Sequence, residues 1–445
     1  MLTAARHASV HVRSLTQPLW RRHLLTLAIE SSCDDTSVAI LEKDQNACAK
    51  LHCHEKVTSD NLAYKGVHPI VALESHEQNL ATLVNDALQS LPFQDTPAPS
   101  GSTVHVRGDV RQKPDFVTVT RGPGMRSNLS TGLNTAKGLA VAWQVPLVAV
   151  NHMQAHALTP RLVHALNSAE PAPSKPAFPF LSLLVSGGHT MLIRSQSLTE
   201  HPTLASTVDI AIGDCIDKIA RHVLPQEVLD TSKSTMYGPI LEQFAFPSGA
   251  ADYKYTPPGS RQEEIMPRTS EYGWSITAPF AESRALKYSF VGIDSTVRRI
   301  VETAKQPMII DERRALAKVA MQVAFEHLAS RVVLALQQIS PTSVRHTANS
   351  SINTLVISGG VAANAFLRHL LRAFLDVRGY SRIELVFPPL DLCTDNAAMI
   401  AWTGMEMFEA GYESELGCQA LRKWSLDPNA ADGGILGVPG WRKRG

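Results

Sequence analysis

The foldable part of the chain begins at Leu24, where Leu24-Leu-Thr-Leu-Ala-Ile29 is a near-continuous apolar run of strand length. A run of this kind predicts a strand buried on both faces rather than the alternation of a half-exposed one. The polar stretch Glu30-Ser-Ser-Cys-Asp-Asp35 predicts a turn, and Thr36-Ser-Val-Ala-Ile-Leu41 a returning strand. The same device recurs at Phe180-Leu-Ser-Leu-Leu-Val185, with a tight turn at Ser186-Gly187-Gly188-His189 and a strand out through Thr190-Met-Leu-Ile193. A third apolar run, Thr354-Leu-Val-Ile-Ser-Gly-Gly-Val361, leads into a helix that begins near Ala362-Ala-Asn364. Repeated strand, small-polar-turn, strand units predict a duplicated α/β architecture with a cleft between its halves. Between them, apolar residues recur at three and four over Pro69 to Leu88 and Asp311 to Gln338, which predicts helices that pack on a core. Stretches rich in Pro, Gly, Ser and charge, around 91–113, 168–179, 247–281 and 340–351, are expected to be surface loops or insertions.

Length and charge narrow the function classes. A chain of 445 residues has material for two or three domains. With 42 basic and 41 acidic side chains it is no polycation, so a nucleic-acid partner must be held by a local patch. Candidates are Arg121 with Arg126, Arg298 with Arg299, and Arg442-Lys443-Arg444. The six cysteines (33, 48, 53, 215, 393, 418) show no C-x-x-C pair, which argues against a zinc cluster or disulfide framework and for a reducing compartment. Residues 1 to 29 contain no Asp or Glu while holding Arg6, Arg13, Arg21 and Arg22 and several Ser and Thr, a composition expected of a mitochondrial presequence or of a disordered basic arm. No other run of about 18 apolar residues is evident, so no membrane span is expected.

The chemistry gathers in a few places. His152 and His156, in Asn151-His-Met-Gln-Ala-His156, are four apart in a stretch expected to be helical, so both imidazoles leave one face. Far downstream, Leu385-Val-Phe-Pro-Pro-Leu390 delivers Cys393-Thr-Asp395-Asn396 just before a small-residue helix, where a carboxylate could complete a divalent-metal site. Two histidines and one carboxylate leave coordination positions open for substrate, as catalytic metal sites do. The alternative is that each histidine is a polar group on a half-buried helix. Ser186-Gly-Gly188 and Ser358-Gly-Gly360 follow apolar strands and would let backbone amides approach phosphate oxygens, or would serve as plain tight turns. No Walker loop and no G-x-G-x-x-G occurs, so a nucleotide would sit in a two-lobed cleft. Asp34 and Asp35 are adjacent carboxylates in the first turn, costly to bury unless they bind a cation, accept N–H groups or handle a proton. Arg121-Gly-Pro-Gly-Met-Arg126 follows the strand Phe116-Val-Thr-Val-Thr120 and could close on a ligand or an RNA backbone.

Six ordered motifs, Ile29-Glu-Ser-Ser-Cys-Asp-Asp-Thr36, Thr120-Arg-Gly-Pro-Gly124, Asn151-His-Met-Gln-Ala-His156, Leu184-Val-Ser-Gly-Gly-His-Thr190, Gly359-Gly-Val-Ala-Ala-Asn364 and Cys393-Thr-Asp-Asn-Ala-Ala398, carry a resemblance that runs from about Leu25 to Gly404. In them the chain resembles the tRNA threonylcarbamoyladenosine synthase family, long described as glycoprotein endopeptidases, and looks like its mitochondrial branch. The resemblance implies the actin, sugar-kinase and Hsp70 (ASKHA) type of fold, duplicated and two-lobed, with a central nucleotide cleft. It implies metal ligands at His152, His156 and Asp395, and nucleotide or acyl-adenylate contacts at Leu184, Val185, Ser186, Gly187, Gly188, Asp217, Gly238 and Asn364. It also implies a part in turnover for Asp34 and Asp35. Two positions depart from the family: Tyr237 stands where a second glycine usually precedes Gly238, and Val291-Gly-Ile-Asp-Ser295 replaces a Ser-Gly-Leu-Lys-Thr segment.

The expected organisation is a presequence over 1–23, lobe I over 24–160, lobe II with the nucleotide turns and inserted loops over 176–390, a metal-ligand helix returning to lobe I over 391–425, and a basic tail over 426–445. The implied reaction passes the threonylcarbamoyl group of threonylcarbamoyl-AMP, made by a separate synthase, to N6 of the adenosine just 3′ of the anticodon in mitochondrial tRNAs that read codons beginning with A. The implied protein is a homodimer of the mitochondrial matrix with one divalent metal per subunit, iron(II) or zinc, and magnesium beside the nucleotide phosphates. Rival classes are a metallopeptidase, a small-molecule kinase of the same fold and a non-catalytic nucleotide-binding scaffold. The peptidase motif H-E-x-x-H would need a glutamate where Met153 stands.

Overall fold

The computed structural model describes residues 23–64, 66–94, 101–168, 173–232, 235–304, 306–339 and 352–444. The expected presequence, apart from His23, and the whole of the stretch 340–351 lie outside the described residues.

Two mixed sheets form the frame. The first has seven strands in the order Trp441–Lys443, Tyr412–Ser414, Leu147–Asn151, Phe116–Gly122, Leu24–Glu30, Asp35–Lys43, Ala49–Thr58. The second has six: Lys287–Tyr288, Thr203–Thr207, Thr190–Ser195, Phe180–Val185, Thr354–Ser358, Glu384–Val386. In the first, Leu24–Glu30 pairs antiparallel with Asp35–Lys43, which pairs antiparallel with Ala49–Thr58. Its other edge runs parallel to Phe116–Gly122, and that strand runs parallel to Leu147–Asn151. In the second, Phe180–Val185 stands in the same relation to Thr190–Ser195 and Thr203–Thr207 on one side and to Thr354–Ser358 and Glu384–Val386 on the other. Leaving aside the edge strands Tyr412–Ser414, Trp441–Lys443 and Lys287–Tyr288, the five strands common to the two sheets, numbered by chain order, read 3-2-1-4-5 in both. The duplication expected from the two apolar strand-turn-strand units is therefore a duplication of topology, and the architecture is the two-lobed α/β class of actin, sugar kinases and Hsp70.

This topology explains the continuous apolar runs. Leu24–Glu30 and Phe180–Val185 are the first strands of their units and lie mid-sheet, covered on both faces, so every residue from Leu25 to Glu30 and from Phe180 to Val185 is buried. Helix Pro69–Leu88 buries Ala72, His76, Leu80, Val84 and Ala87, the three-and-four spacing of one face. Ile310–Ile339 is the helix long and apolar enough to cross a membrane among the described residues, and it is instead the core of the second half, where Leu316, Phe325 and Val332 pack with Phe366 and Leu371.

Some stretches expected to be loops hold short elements. Residues 103–112 form the hairpin Thr103–Val106 with Asp109–Gln112, and the segment 247–281 contains the helix Arg261–Ile265 and the ladder Arg268–Thr269 with Ser275–Ile276. The latter insertion is tied down by charge rather than by apolar periodicity. Arg268 Nη2 donates to Glu326 Oε2 at 2.8 Å, and the Arg261 guanidinium donates to the carbonyls of Phe280, Ala281 and Ser283. The stretch expected as a basic tail ends in the strand Trp441–Lys443, which pairs antiparallel with Tyr412–Ser414 and completes the first sheet.

Candidate active site

The helix His152–Asn167 starts where the parallel strand Leu147–Asn151 ends. Asn151 caps it: Oδ1 accepts the N–H groups of Met153 at 2.9 Å and Gln154 at 3.2 Å. His152 therefore opens the first turn and His156 follows one turn later, with ring centroids 4.7 Å apart and planes nearly perpendicular at 89°. Asp395 arrives from the second sheet, after the short helix Leu390–Cys393. The next residue, Asn396, caps the helix Ala397–Glu409 by accepting Met399 N–H at 2.9 Å, while its amide donates to Thr394 C=O at 2.7 Å, so Asp395 sits in a doubly pinned bend before the helix and not on it.

In this frame Asp395 Oδ1 lies 3.3 Å from His152 Nε2 and 3.0 Å from His156 Nε2, although the residues are more than two hundred positions apart. The three donor atoms fall within 4.8 Å of one another. Ligands bonded to one ion at about 2.0–2.2 Å stand roughly 3–3.5 Å apart, so the set fits a divalent transition metal. Burial opposes charge on His152 and Asp395, yet the pairing wins: the carboxylates of Asp395 and Glu30 hold His152 well above its ordinary value, and the two imidazoles hold Asp395 well below its own. His189, from the Ser186-Gly-Gly188 turn, is pushed down to about 4 by burial and by the neighbouring His152 and His156, and stays neutral.

The acidic turn is held rigidly. Cys33 C=O accepts from Asn128 Nδ2 at 2.7 Å and faces His76 Nε2 at 2.9 Å. A Cβ on Gly124 would come within 2.6 Å of Ser32 O, so that glycine is what lets the loop after Phe116–Gly122 lie against the turn. Asp35 accepts a hydrogen bond from Thr58 Oγ1 and an ion pair from Lys56 Nζ at 3.2 Å, and the same ammonium donates to Thr394 Oγ1 at 3.0 Å. Lys56 thus links the acidic turn to the bend that carries Asp395. Burial pushes Asp35 up to about 6, against the pull of Lys56, and raises Asp34 as well.

The residues expected at the nucleotide gather separately, on the second sheet. Ser186 closes the turn by donating its N–H to His189 C=O at 2.9 Å and accepting His189 N–H on Oγ at 3.0 Å. Gly187 and Gly188 face open space, and Gly359, at φ +98°, lies so close to Val185 O that any Cβ there would overlap it. The Leu184 to Gly188 turn and the Ser358 to Gly360 turn are therefore in contact. Asp217 Oδ1 accepts the N–H groups of Tyr237 at 2.7 Å and Gly238 at 3.0 Å, and burial pushes the carboxyl up to about 6. Tyr237 has φ −90°, open to any residue, so the replacement of glycine there keeps the backbone donor. Asn364 Oδ1 caps Ala365–Val377 through Leu367 N–H at 2.8 Å, and Phe366 N–H reaches Glu242 on the Gly238–Ala245 helix at 2.9 Å. No hydrogen bond among the described residues joins this group to the histidine pair. A cavity of about 450 Å³ lies beside the pair, lined by Met153, His189, Met191, Arg422, Lys423 and Trp424 among others.

Two placements differ from expectation or escaped it. Arg121, a candidate for a nucleic-acid patch, is 2% exposed: Nε donates to Gln419 C=O at 2.9 Å, Nη2 to Pro439 C=O at 2.8 Å, and the guanidinium stands over Trp424. Glu30, fully buried, contacts His152 and was not singled out. The signal available was an acid ending an otherwise apolar strand.

Comparison with known proteins places this geometry. The family model described as tRNA N6-adenosine threonylcarbamoyltransferase matches residues 52–402. The mitochondrial tRNA N6-adenosine threonylcarbamoyltransferase of Schizosaccharomyces pombe is 36% identical, over 94% of this chain and 89% of that protein. The tRNA N6-adenosine threonylcarbamoyltransferase of Zymomonas mobilis is 31% identical, over 93% and 95%. Among solved structures, HypF of T. kodakarensis aligns with a TM-score of 0.45 at 11% identity, covering 88% of this chain and 48% of that one. A ROK family glucokinase from Streptomyces griseus aligns with 0.39 at 8% identity, covering 86% and 99%. The six ordered motifs and the match over most of the chain have one conclusion: the chain belongs to the tRNA N6-adenosine threonylcarbamoyltransferase family and is a transferase.

Proposed function

We propose that the protein transfers the threonylcarbamoyl group of threonylcarbamoyl-AMP to N6 of the adenosine just 3′ of the anticodon in mitochondrial tRNAs reading codons that begin with A, in the mitochondrial matrix and as a homodimer. The observation that carries this reading is the convergence of His152, His156 and Asp395, with donor atoms 3.0 and 3.3 Å apart, in a chain of this family. The mitochondrial name of the Schizosaccharomyces pombe relative supports the compartment.

In the reaction the N6 amine attacks the carbamoyl carbon of a mixed anhydride; a C–N bond forms, the C–O bond to phosphate breaks, and AMP departs with the electron pair. The residues His152, His156 and Asp395 would hold one iron(II) or zinc ion, which supplies positive charge to anchor the adenylate's oxygens and stabilise charge that develops on them, with magnesium accompanying the phosphates. The turn Leu184, Val185, Ser186, Gly187 and Gly188 bounds the AMP portion, with the open backbone of Gly187 and Gly188 nearest it, and Asp217, Gly238 and Asn364 bound the nucleoside. Asp34 or Asp35 accepts the proton lost from the amine. Both oxygens of Asp35 are already engaged, by Thr58 and Lys56, which favours Asp34 for the proton and Asp35 for orientation. The peptidase alternative lacks its base, since Met153 is buried beside the first histidine.

The test is reconstitution: purified protein, a threonylcarbamoyl-AMP synthase, threonine, bicarbonate, ATP and mitochondrial tRNA transcript. Modified adenosine is expected by nucleoside mass spectrometry with no further subunit. A tRNA left unmodified while the adenylate accumulates would refute a self-sufficient transferase.

A further inference from the structure

The three ligand residues do not account for the burial of Glu30. This carboxylate ends an interior strand of the first sheet with no exposed surface, and its ion-pair partner among the described residues is a histidine rather than a lysine or arginine. Oε2 lies 3.0 Å from His152 Nδ1 and accepts from Thr120 Oγ1 at 2.5 Å, while Oε1 accepts Ser32 N–H at 2.5 Å. Ser32 Oγ also reaches His152 Nδ1, at 3.2 Å. His156 has no such support, because its buried Nδ1 meets no partner.

We propose that Glu30 is the positioning residue of the metal centre, holding His152 Nδ1–H so that Nε2 faces the ion and supplying the second negative charge of the site. This rests on the ligand role proposed for His152, His156 and Asp395. A neutral imidazole carries one N–H, and a carboxylate at Nδ1 places it there, which leaves the Nε2 lone pair for the ion and raises its basicity. The carboxylate cannot drift, because donors from the neighbouring strand (Thr120) and from the following turn (Ser32) hold both its oxygens. The charge also closes: two neutral imidazoles, Asp395 and Glu30 sum to minus two, which a divalent cation cancels and a monovalent one does not. An uncompensated carboxylate at this depth would cost several kcal/mol.

The experiment is metal binding by the full chain, with zinc affinity measured by competition against a chromogenic chelator and the d–d spectrum recorded after cobalt(II) loading. Glu30→Gln keeps the shape and loses the charge; a fall of roughly 10- to 100-fold in affinity and a shifted cobalt spectrum are expected, with the metal-free protein still cooperatively folded. Thr120→Val, which frees one side of the carboxylate, is expected to shift both readouts less and in the same direction. Wild-type affinity and spectrum in E30Q, with binding lost in His156→Ala, would overturn the role of Glu30 alone. Wild-type binding in H156A as well would overturn the ligand set and this proposal with it. Should E30Q fail to fold, an unchanged spectrum and affinity in T120V decides against the proposal.

Discussion

Asp395 is the residue on which the site turns, because it is the point where the second half of the chain meets the histidine pair. Replacing it with Ala should drop bound metal from about one ion per chain to a small fraction of that and lower transfer at least about 100-fold, read by elemental analysis and by a tRNA nucleoside assay. A fully metallated D395A protein would contradict the ligand assignment. The acidic turn makes a sharper distinction. Asp34 meets the Cys33 thiol, whereas Asp35 is held by Lys56 and Thr58. Asp34→Asn should therefore lower kcat by roughly 10²- to 10⁴-fold with KM for the adenylate nearly unchanged, the pattern of a lost proton acceptor. Equal kcat in D34N and the parent protein would move that role elsewhere. These residues were legible in the sequence because their chemistry is rare at their spacing. Glu30 was not, since its partners Thr120 and His152 lie about a hundred positions away. The burial of Arg121 was equally hidden, its acceptors being backbone carbonyls near the end of the chain.

Among the elements, the helix Ala397–Glu409 has an exacting fit. It packs on the first sheet at Gly404, where a Cβ would overlap the side chain of Thr118 in the strand Phe116–Gly122. Gly404→Ala must push the helix outward, at a cost of about 1–3 kcal/mol, and the bend before it carries Asp395. A lower Tm accompanied by weaker metal binding is the expected result; a lower Tm with undiminished metal affinity would mean that helix and bend move independently. Strands covered on both faces are legible as unbroken apolar runs, and Pro69–Leu88 is readable from its periodicity. Two-residue strands such as Lys287–Tyr288 were not, because a ladder that short has no period and is set by its neighbour Thr203–Thr207. The hairpin Thr103–Gln112 hid in a polar stretch for the same reason.

For the molecule as a whole, acid is the weak side. His201 is fully buried, bonded to Ser195 Oγ at 2.9 Å and Leu198 O at 2.8 Å, and burial pushes it down to about 4. His327 is held well below its ordinary value by burial and by the charges of Arg331 and Arg261. A folded value below the unfolded one means that the fold takes up a proton less readily, so the contribution is complete above about 6.5 and disappears as pH falls towards 4. For His201 that loss is about 3 kcal/mol. Urea midpoints measured across this window should fall with pH, and His201→Asn should flatten the slope; an unaltered slope would show that the ring is not the titrating group. The duplicated topology was visible as two similar apolar units, while the way the chain closes on itself was not. Cutting after residue 438 removes Pro439 and the strand Trp441–Lys443, leaves the Arg121 guanidinium short of an acceptor, and should cost about 2–3 kcal/mol, seen as a lower Tm.

That last strand has a practical side. The loop that begins at Arg121 rests against the acidic turn at one end and is gripped by residues 419 and 439 at the other, so these late residues brace the acidic turn. A purification handle or surface tether fused there pulls on the loop that lies against the acidic turn, and comparisons of specific activity between differently tagged preparations are expected to compare their tags in part.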